Sequence, residues 1–142
     1  MVTFEQVTGS ERHVSALYRL LNARTHRISA TKNVSEPDHR RFVEDHPYRA
    51  WWLVLKEGSV IGSVYLGKDN SVGVDLTDEH VGLLPEVVGQ VIDKHRPLPA
   101  IPSVRRGSFF INVAPSDLQK IDQIRRLGWE KAQETFAAPE GG

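Results

Sequence analysis

The 142-residue chain contains no cysteine. That absence excludes disulfides, thiolate metal sites, cysteine nucleophiles and thiol redox switching together, and it fits a reducing cytoplasm. Charge of either sign is not in excess, because eighteen Lys and Arg balance eighteen Asp and Glu. A neutral chain exerts no bulk pull on nucleic acid or an anionic membrane, which leaves only local patches to do so. No uncharged apolar run approaches the roughly 20 residues a membrane helix requires, and the opening segment lacks the basic-then-apolar order of a signal peptide. Six histidines occur without HExxH or paired metal spacing, so no metal site is expected. A Walker sequence, a GxGxxG fingerprint and a GxSxG elbow are also missing. The expectation is a cytoplasmic domain with no membrane or metal partner. Its chemistry must rest on His, carboxylates, Tyr, Ser, backbone groups or a bound cofactor.

What is present is ordinary for a globular protein, with 39% hydrophobic and 25% charged residues. A chain of this length buries roughly two-thirds of its surface. There is no internal repeat, and one domain is expected over residues 1–137 with a short tail at 138–142. A first strand is predicted from Val2 to Val7. Val14, Leu17, Tyr18 and Leu21 follow at helical spacing, after a Thr8/Glu11 capping box with Ser10 as rival cap. Residues 24–34 read as loop. Ser35 and Asp38 cap a second helix, which carries His39, Phe42 and Val43 on one face and stops before Pro47.

From Trp51 the period changes to that of strands. Three runs, 51–56, 59–66 and 71–76, are joined by Glu57-Gly58 and by Lys68-Asp69-Asn70, the pattern of an antiparallel meander. Leu84, Val87, Val88, Val91 and Ile92 then make one helical stripe, with Pro85 in a first turn. The proline-rich stretch 97–102 is a stiff connection. Beyond it come a predicted strand at 108–113, a helix opened by a Ser116/Gln119 capping box and stopped by Gly128, and a last strand at 129–136. The order is β-α-α-β-β-β-α-β-α-β, an α/β (α+β) fold whose late strands should make part of the sheet parallel.

The segment Phe109-Phe-Ile-Asn-Val-Ala-Pro115, its following helix and Arg126-Leu-Gly-Trp129 resemble the C-terminal third of the GNAT superfamily of acyl-CoA-dependent N-acyltransferases. Phe42-Val43, His46-Pro47-Tyr48, Trp51-Trp52 and Gly62-Ser63-Val64-Tyr65 are similar to one bacterial and phage subgroup, and together the matches span nearly the whole chain. The resemblance implies a cytoplasmic acetyltransferase with acetyl-CoA, or another acyl-CoA, as co-substrate. It also implies a cleft where the fourth and fifth strands splay apart beside Gly82. The donor would be held by Leu76, Thr77, Gly82, Leu83, Leu84, Asn112, Asp117 and Lys120.

Amide formation from a thioester needs a neutral amine, a route for its proton and a dipole on the developing oxyanion. Glu79, working through water, and Asp75 bracket the end of the central strand as candidate catalytic carboxylates, with His39 a third candidate. Ser29, His39 and Tyr65 are the candidate acceptor-side residues. Two departures from the family pattern stand out. Glu79 and Leu84 occupy the basic and small positions of the pyrophosphate turn, which predicts weak CoA binding, and the usual Tyr acid of the last helix is replaced by Ile124. The acceptor is expected to be a small-molecule amine. A DNA or nucleotide-linked acceptor, a nucleobase-modifying activity with another donor, a non-catalytic binding module and a homodimer all stay open.

Overall fold

Strand alternation in the middle of the chain builds the sheet from which the rest is hung. The computed structural model describes residues 1–24 and 34–139. Among them, β1 (Val2–Gln6), β2 (Ala50–Lys56), β3 (Ser59–Leu66) and β4 (Val72–Leu76) form an antiparallel sheet in the order β1-β2-β3-β4. The β2–β3 turn at Glu57-Gly58 has positive φ at both residues, the geometry of a two-residue hairpin whose twist matches its strands. A register shift between Val54 and Leu55 marks a bulge in β2. At the β3–β4 turn, Asn70 is fully buried with φ of 76°. Its side-chain amide donates to the Leu98 and Arg106 carbonyls at 2.9 and 2.7 Å, and its side-chain oxygen accepts from Leu98 N at 2.7 Å. This one side chain fastens the stiff 97–107 connection to the sheet.

The two faces of the sheet are covered by different helices. On one side α3 (Leu84–Lys94) sets Leu84, Val87, Val88 and Val91 against Val54, Val64, Leu66, Val72 and Val74. Fully burying each such side chain is worth roughly 1.5–3 kcal/mol relative to leaving it in water. On the other side α1 (Glu11–Asn22) and α2 (Glu36–Glu44) cover Trp51, Leu53 and Leu55 with Val14, Leu17, Leu20 and Val43.

Ser10, not Thr8, is the N-cap of α1, its hydroxyl accepting from His13 N. Thr8 is engaged elsewhere: its N–H donates to His13 Nδ1 at 2.9 Å. That leaves His13 Nε2 as the donor to Glu5 at 2.7 Å. Ser35 caps α2 as expected, accepting from Asp38 N.

The C-terminal third departs most from expectation. The anticipated strand at 108–113 is reduced to a parallel bridge between Ser71 and Phe110, and residues 129–136 form no strand. Trp129 still packs against the α3-side core, whereas Phe136 is exposed. A strand needs a partner for its ladder, and beyond Phe110 the chain leaves β4 instead of following it. α4 (Leu118–Arg126) is capped by Asp117, which accepts from Lys120 N at 3.2 Å, and not by Ser116. Gly128, at φ of 84°, ends it as expected. Among the described residues, no helix is long and apolar enough to cross a membrane.

Candidate active site

The departure of the chain from β4 opens a cleft. Val72 N donates to the Phe110 carbonyl at 2.8 Å and Phe110 N to the Asn70 carbonyl at 3.2 Å. Past that bridge β4 runs on to Leu76 while residues 112–120 swing away. Between them lies a cavity of about 970 Å³, floored by β4 and walled by Asn112 and residues 116–120 on one side. Leu20, Arg24, Tyr48, Trp51, Ser63 and Tyr65 close its other end. The expected opening past β4 is therefore present, but the segment across it is not a fifth strand and Gly82 does not line it.

Ladder alternation decides what β4 offers to this space. Gly67 N bonds the Ser71 carbonyl and Thr77 N bonds the Ile61 carbonyl. Residues 71, 73, 75 and 77 thus turn their backbone groups toward β3, and residues 72, 74 and 76 turn theirs outward. Val72 N–H is spent on Phe110. The Val74 carbonyl accepts from Lys120 Nζ at 2.5 Å. Lys120, on the first turn of α4, is half-buried, and burial pushes its ammonium below the usual lysine range. Asp75 and Asp117 oppose that shift, and Arg24 adds to it.

At the other end Arg24, just past α1, donates from Nε to Asp75 Oδ2 at 2.9 Å. Above this pair Tyr48 stacks on Tyr65, with centroids 3.9 Å apart and planes 7° from parallel, and Trp51 meets Tyr48 edge-on at 5.1 Å. Gly73 makes the stack possible, because a Cβ there would fall inside the Tyr65 ring, its cross-strand partner. Burial pushes the Tyr48 hydroxyl up to about 12, with the Tyr65 phenol adding and Arg24 opposing. Tyr65 shifts the same way, from burial first and then Asp69, again against Arg24. Both phenols stay protonated and are donors at neutral pH. Trp51 Nε1 is buried with no hydrogen-bond partner among the described residues.

The structure brings together Tyr65, Asp75, Leu76, Thr77, Glu79, Leu84, Asn112, Asp117 and Lys120 around the cleft. Within that set, Thr77 Oγ1 lies 2.7 Å from His80 Nδ1, and Asn112 is exposed and makes no side-chain hydrogen bond to a described residue. Leu84 is 1% exposed and part of the core, so its side chain points into the fold and does not crowd the turn as expected.

Other candidates fall elsewhere. His39 faces inward as expected but packs between α1 and α2, 5.2 Å from the Tyr18 ring, and does not line the cleft. Its helical position aims it at α1, not at β4. Burial lowers its pKa, Arg24 adds to that, and the Val14 backbone and Glu36 oppose it. Nε2 has no partner among the described residues. Gly82 and Leu83 do not line the cleft either. They lie in a 3-10 segment, Asp78–Leu83, that runs straight into α3. Leu84 N–H is spent on the Val81 carbonyl, and Pro85 has no N–H. The α3 N-terminus thus has fewer free donors than an open helix end. Ser29 lies outside the described residues.

Arg105 and Arg106 do not line the cleft. Arg105 binds the Pro99 and Lys68 carbonyls, and Arg106 lies over the Phe110 ring and donates to Gln133. Arg24, Tyr48 and Trp51 are the cleft residues that sequence reasoning gave no role. Tyr48 with Trp51-Trp52, an aromatic cluster leading into β2, is the visible trace of the last two.

No protein-family model matches the sequence, and no match was found among the curated proteins. Solved structures do resemble the fold. A possible acetyltransferase from Clostridium difficile 630 is 9% identical, with a TM-score of 0.59 over 99% of this chain and 97% of its own. The aminoglycoside acetyltransferase AAC(6')-Ib, solved in complex with coenzyme A, is 15% identical, with a TM-score of 0.64 over 93% of this chain and 86% of its own. The aminoglycoside acetyltransferase HMB0005, from an uncultured soil metagenomic sample, is 15% identical with a TM-score of 0.54, and 98% of each chain is covered. At such identities the likeness is one of fold, and it agrees with the GNAT-type architecture that the C-terminal motifs resemble.

Proposed function

We propose that this chain is an N-acyltransferase that moves an acyl group, in the simplest case acetyl from acetyl-CoA, onto a primary amine of a small molecule. The observation that carries the reading is the cleft between β4 and the 112–120 wall, into which an edge strand presents backbone donors and acceptors. An extended amide-bearing donor can add to such an edge as a further strand would. The outward N–H of Val74 is then a fixed dipole for the oxyanion that forms when an amine attacks the thioester carbonyl. Asp75, held by Arg24, faces the space from which the amine arrives and favours its approach by charge. Tyr65 offers a protonated hydroxyl beside it. Glu79, exposed at the rim, is the water-linked proton acceptor of this reading.

The residues fit the diphosphate end of such a donor less well. Asp78 and Glu79 crowd negative charge near the start of α3, whose first N–H groups are partly spent. Weak donor binding is the expected result.

The absence of cysteine makes the test clean, since a thiol-reactive dye sees only released CoA. Acetyl-, propionyl- and succinyl-CoA are offered with small amines, amino-sugars and DNA, at low and high salt. Release that requires an amine, and that rises with pH as the ammonium loses its proton, supports the reading. A folded protein with no amine-dependent release from any donor overturns it in favour of a binding module. Release with DNA alone, falling steeply with salt, overturns it in favour of a nucleobase-modifying enzyme.

A further inference from the structure

Resting on that reading, we propose that Lys120 is the acid that protonates the departing thiolate. Three observations carry it. Lys120 is a cation inside the cleft, reaching across from α4 to β4. Its Nζ sits on the carbonyl of Val74, the same residue whose N–H points into the cleft at the place assigned to the oxyanion. A carbonyl and an N–H of one extended residue lie within one strand repeat, ~3.3 Å, so Lys120 stands beside the reacting carbonyl. Finally, the tether is a single hydrogen bond to a neutral acceptor, which leaves the other ammonium protons free.

The step balances as follows. The amine nitrogen bonds to the thioester carbon while the C=O π pair moves to oxygen, held by Val74 N–H. The amine gives one proton to water. The oxygen pair returns, the C–S bond breaks and sulfur takes its electrons together with a proton from Lys120. Neutral Lys120 then recovers a proton from solvent. The groups facing it are Asp75 on β4, Asp117 at the N-cap of α4 and Arg24 beyond α1, with Glu79 on the same cleft. Burial lowers the Lys120 pKa, which makes it a better acid than a free lysine and places the alkaline loss of rate below the ordinary lysine range.

The test compares wild type, Lys120→Met and Lys120→Arg with acetyl-CoA and with an aryl thioester of acetate, whose thiolate leaves unprotonated. Arg keeps the charge and the bond to Val74 but does not release its proton, so it covers the case of a Met variant that fails to fold. Thermal midpoints confirm folding. We expect a roughly 10²-fold loss with acetyl-CoA in both variants, the low end for acid catalysis because a thiolate already leaves fairly well. With the aryl thioester the loss should shrink to a few-fold, and the falling alkaline limb of kcat expected for wild type should vanish in both variants. Three outcomes overturn the role of Lys120 while leaving the acyltransferase standing. These are variants within about twofold of wild type on acetyl-CoA, an equal loss on both donors, and an acyl mass found on Lys120 itself. Absence of amine-dependent release in wild type instead overturns the acyltransferase reading, and this role falls with it.

Discussion

The two faces of the sheet are built from different chemistry. The buried residues of the α3 face are aliphatic throughout, from Val54 and Val64 to Val87 and Val91. The face under α1 and α2 mixes aliphatics with Trp51 and with buried His13, His39 and Ser63, and continues into Tyr48 and Tyr65. An aliphatic interface is non-directional and tolerates no chemistry; its contribution is stability. A face with phenols, an unpartnered indole N–H and an ion pair costs desolvation and returns directionality. The cleft opens on the second face and along the edge of β4, where both resources meet.

The comparison breaks most visibly if the aliphatic face proves dispensable. Leu66→Ala, at a fully buried position there, should cost about 2–5 kcal/mol, read as a fall in the denaturant midpoint at unchanged m-value. Gly73→Ala works on the other side of the divide. Its Cβ displaces Tyr65 from β4 and breaks the Tyr48 stack, so a cost of about 1–3 kcal/mol is expected, together with loss of near-ultraviolet aromatic signal. Retention of that signal would show that Tyr65 is not held by the glycine.

Asn112→Ala sharpens the contrast between function and fold. The side chain is exposed and bonds no described residue, so stability should stay within about 0.5 kcal/mol while amine-dependent CoA release falls roughly tenfold. A stability loss without a rate loss would reverse its assignment. Glu79→Gln should tighten acetyl-CoA binding by about twofold to fivefold in calorimetry, the size of one charge removed near a helix start. It is made alone, because Leu84 is a core residue whose replacement would cost the fold beneath the site.

The smallest effect concerns pH. Burial holds the folded His39 pKa below its ordinary 6.5, so the unfolded chain binds the proton first. Stability tied to His39 is therefore complete above 6.5 and is lost as pH falls through the folded value. His39→Leu should lose less thermal midpoint between pH 7 and pH 5 than wild type does. A steeper loss in the variant would place the sensitive group elsewhere.

Local pattern alone was enough for the meander, for the α3 stripe and for the Ser35 and Gly128 boundaries, because those depend on neighbours within a few residues. The same reading overextended at 108–113 and 129–136. These stretches are apolar enough for strands, yet whether a ladder forms depends on where β4 goes, many residues away. Ser10 caps α1 in place of its rival Thr8, and Asp117 caps α4 in place of Ser116, because each segment offers two competing hydroxyl or carboxylate caps and tertiary contacts choose between them. Candidate residues near β4 were found through the resemblance. Arg24, Tyr48 and Trp51 were missed because they lie far from it in the chain and meet it only in the fold.

What the sequence determined by itself is the set of periods and breakers: two helices, a three-strand meander, a third helix, a proline-rich connection and a last helix ended by glycine. These follow from hydrogen-bond geometry and side-chain spacing, which act locally. The tertiary structure alone decided that residues after Phe110 leave β4 and that Lys120 reaches back to the Val74 carbonyl. It also decided that Tyr65 lies flat over Gly73 against Tyr48. Those outcomes are settled by which surfaces remain unburied once the helices have covered the sheet, and a cleft is the surface that no local rule assigns.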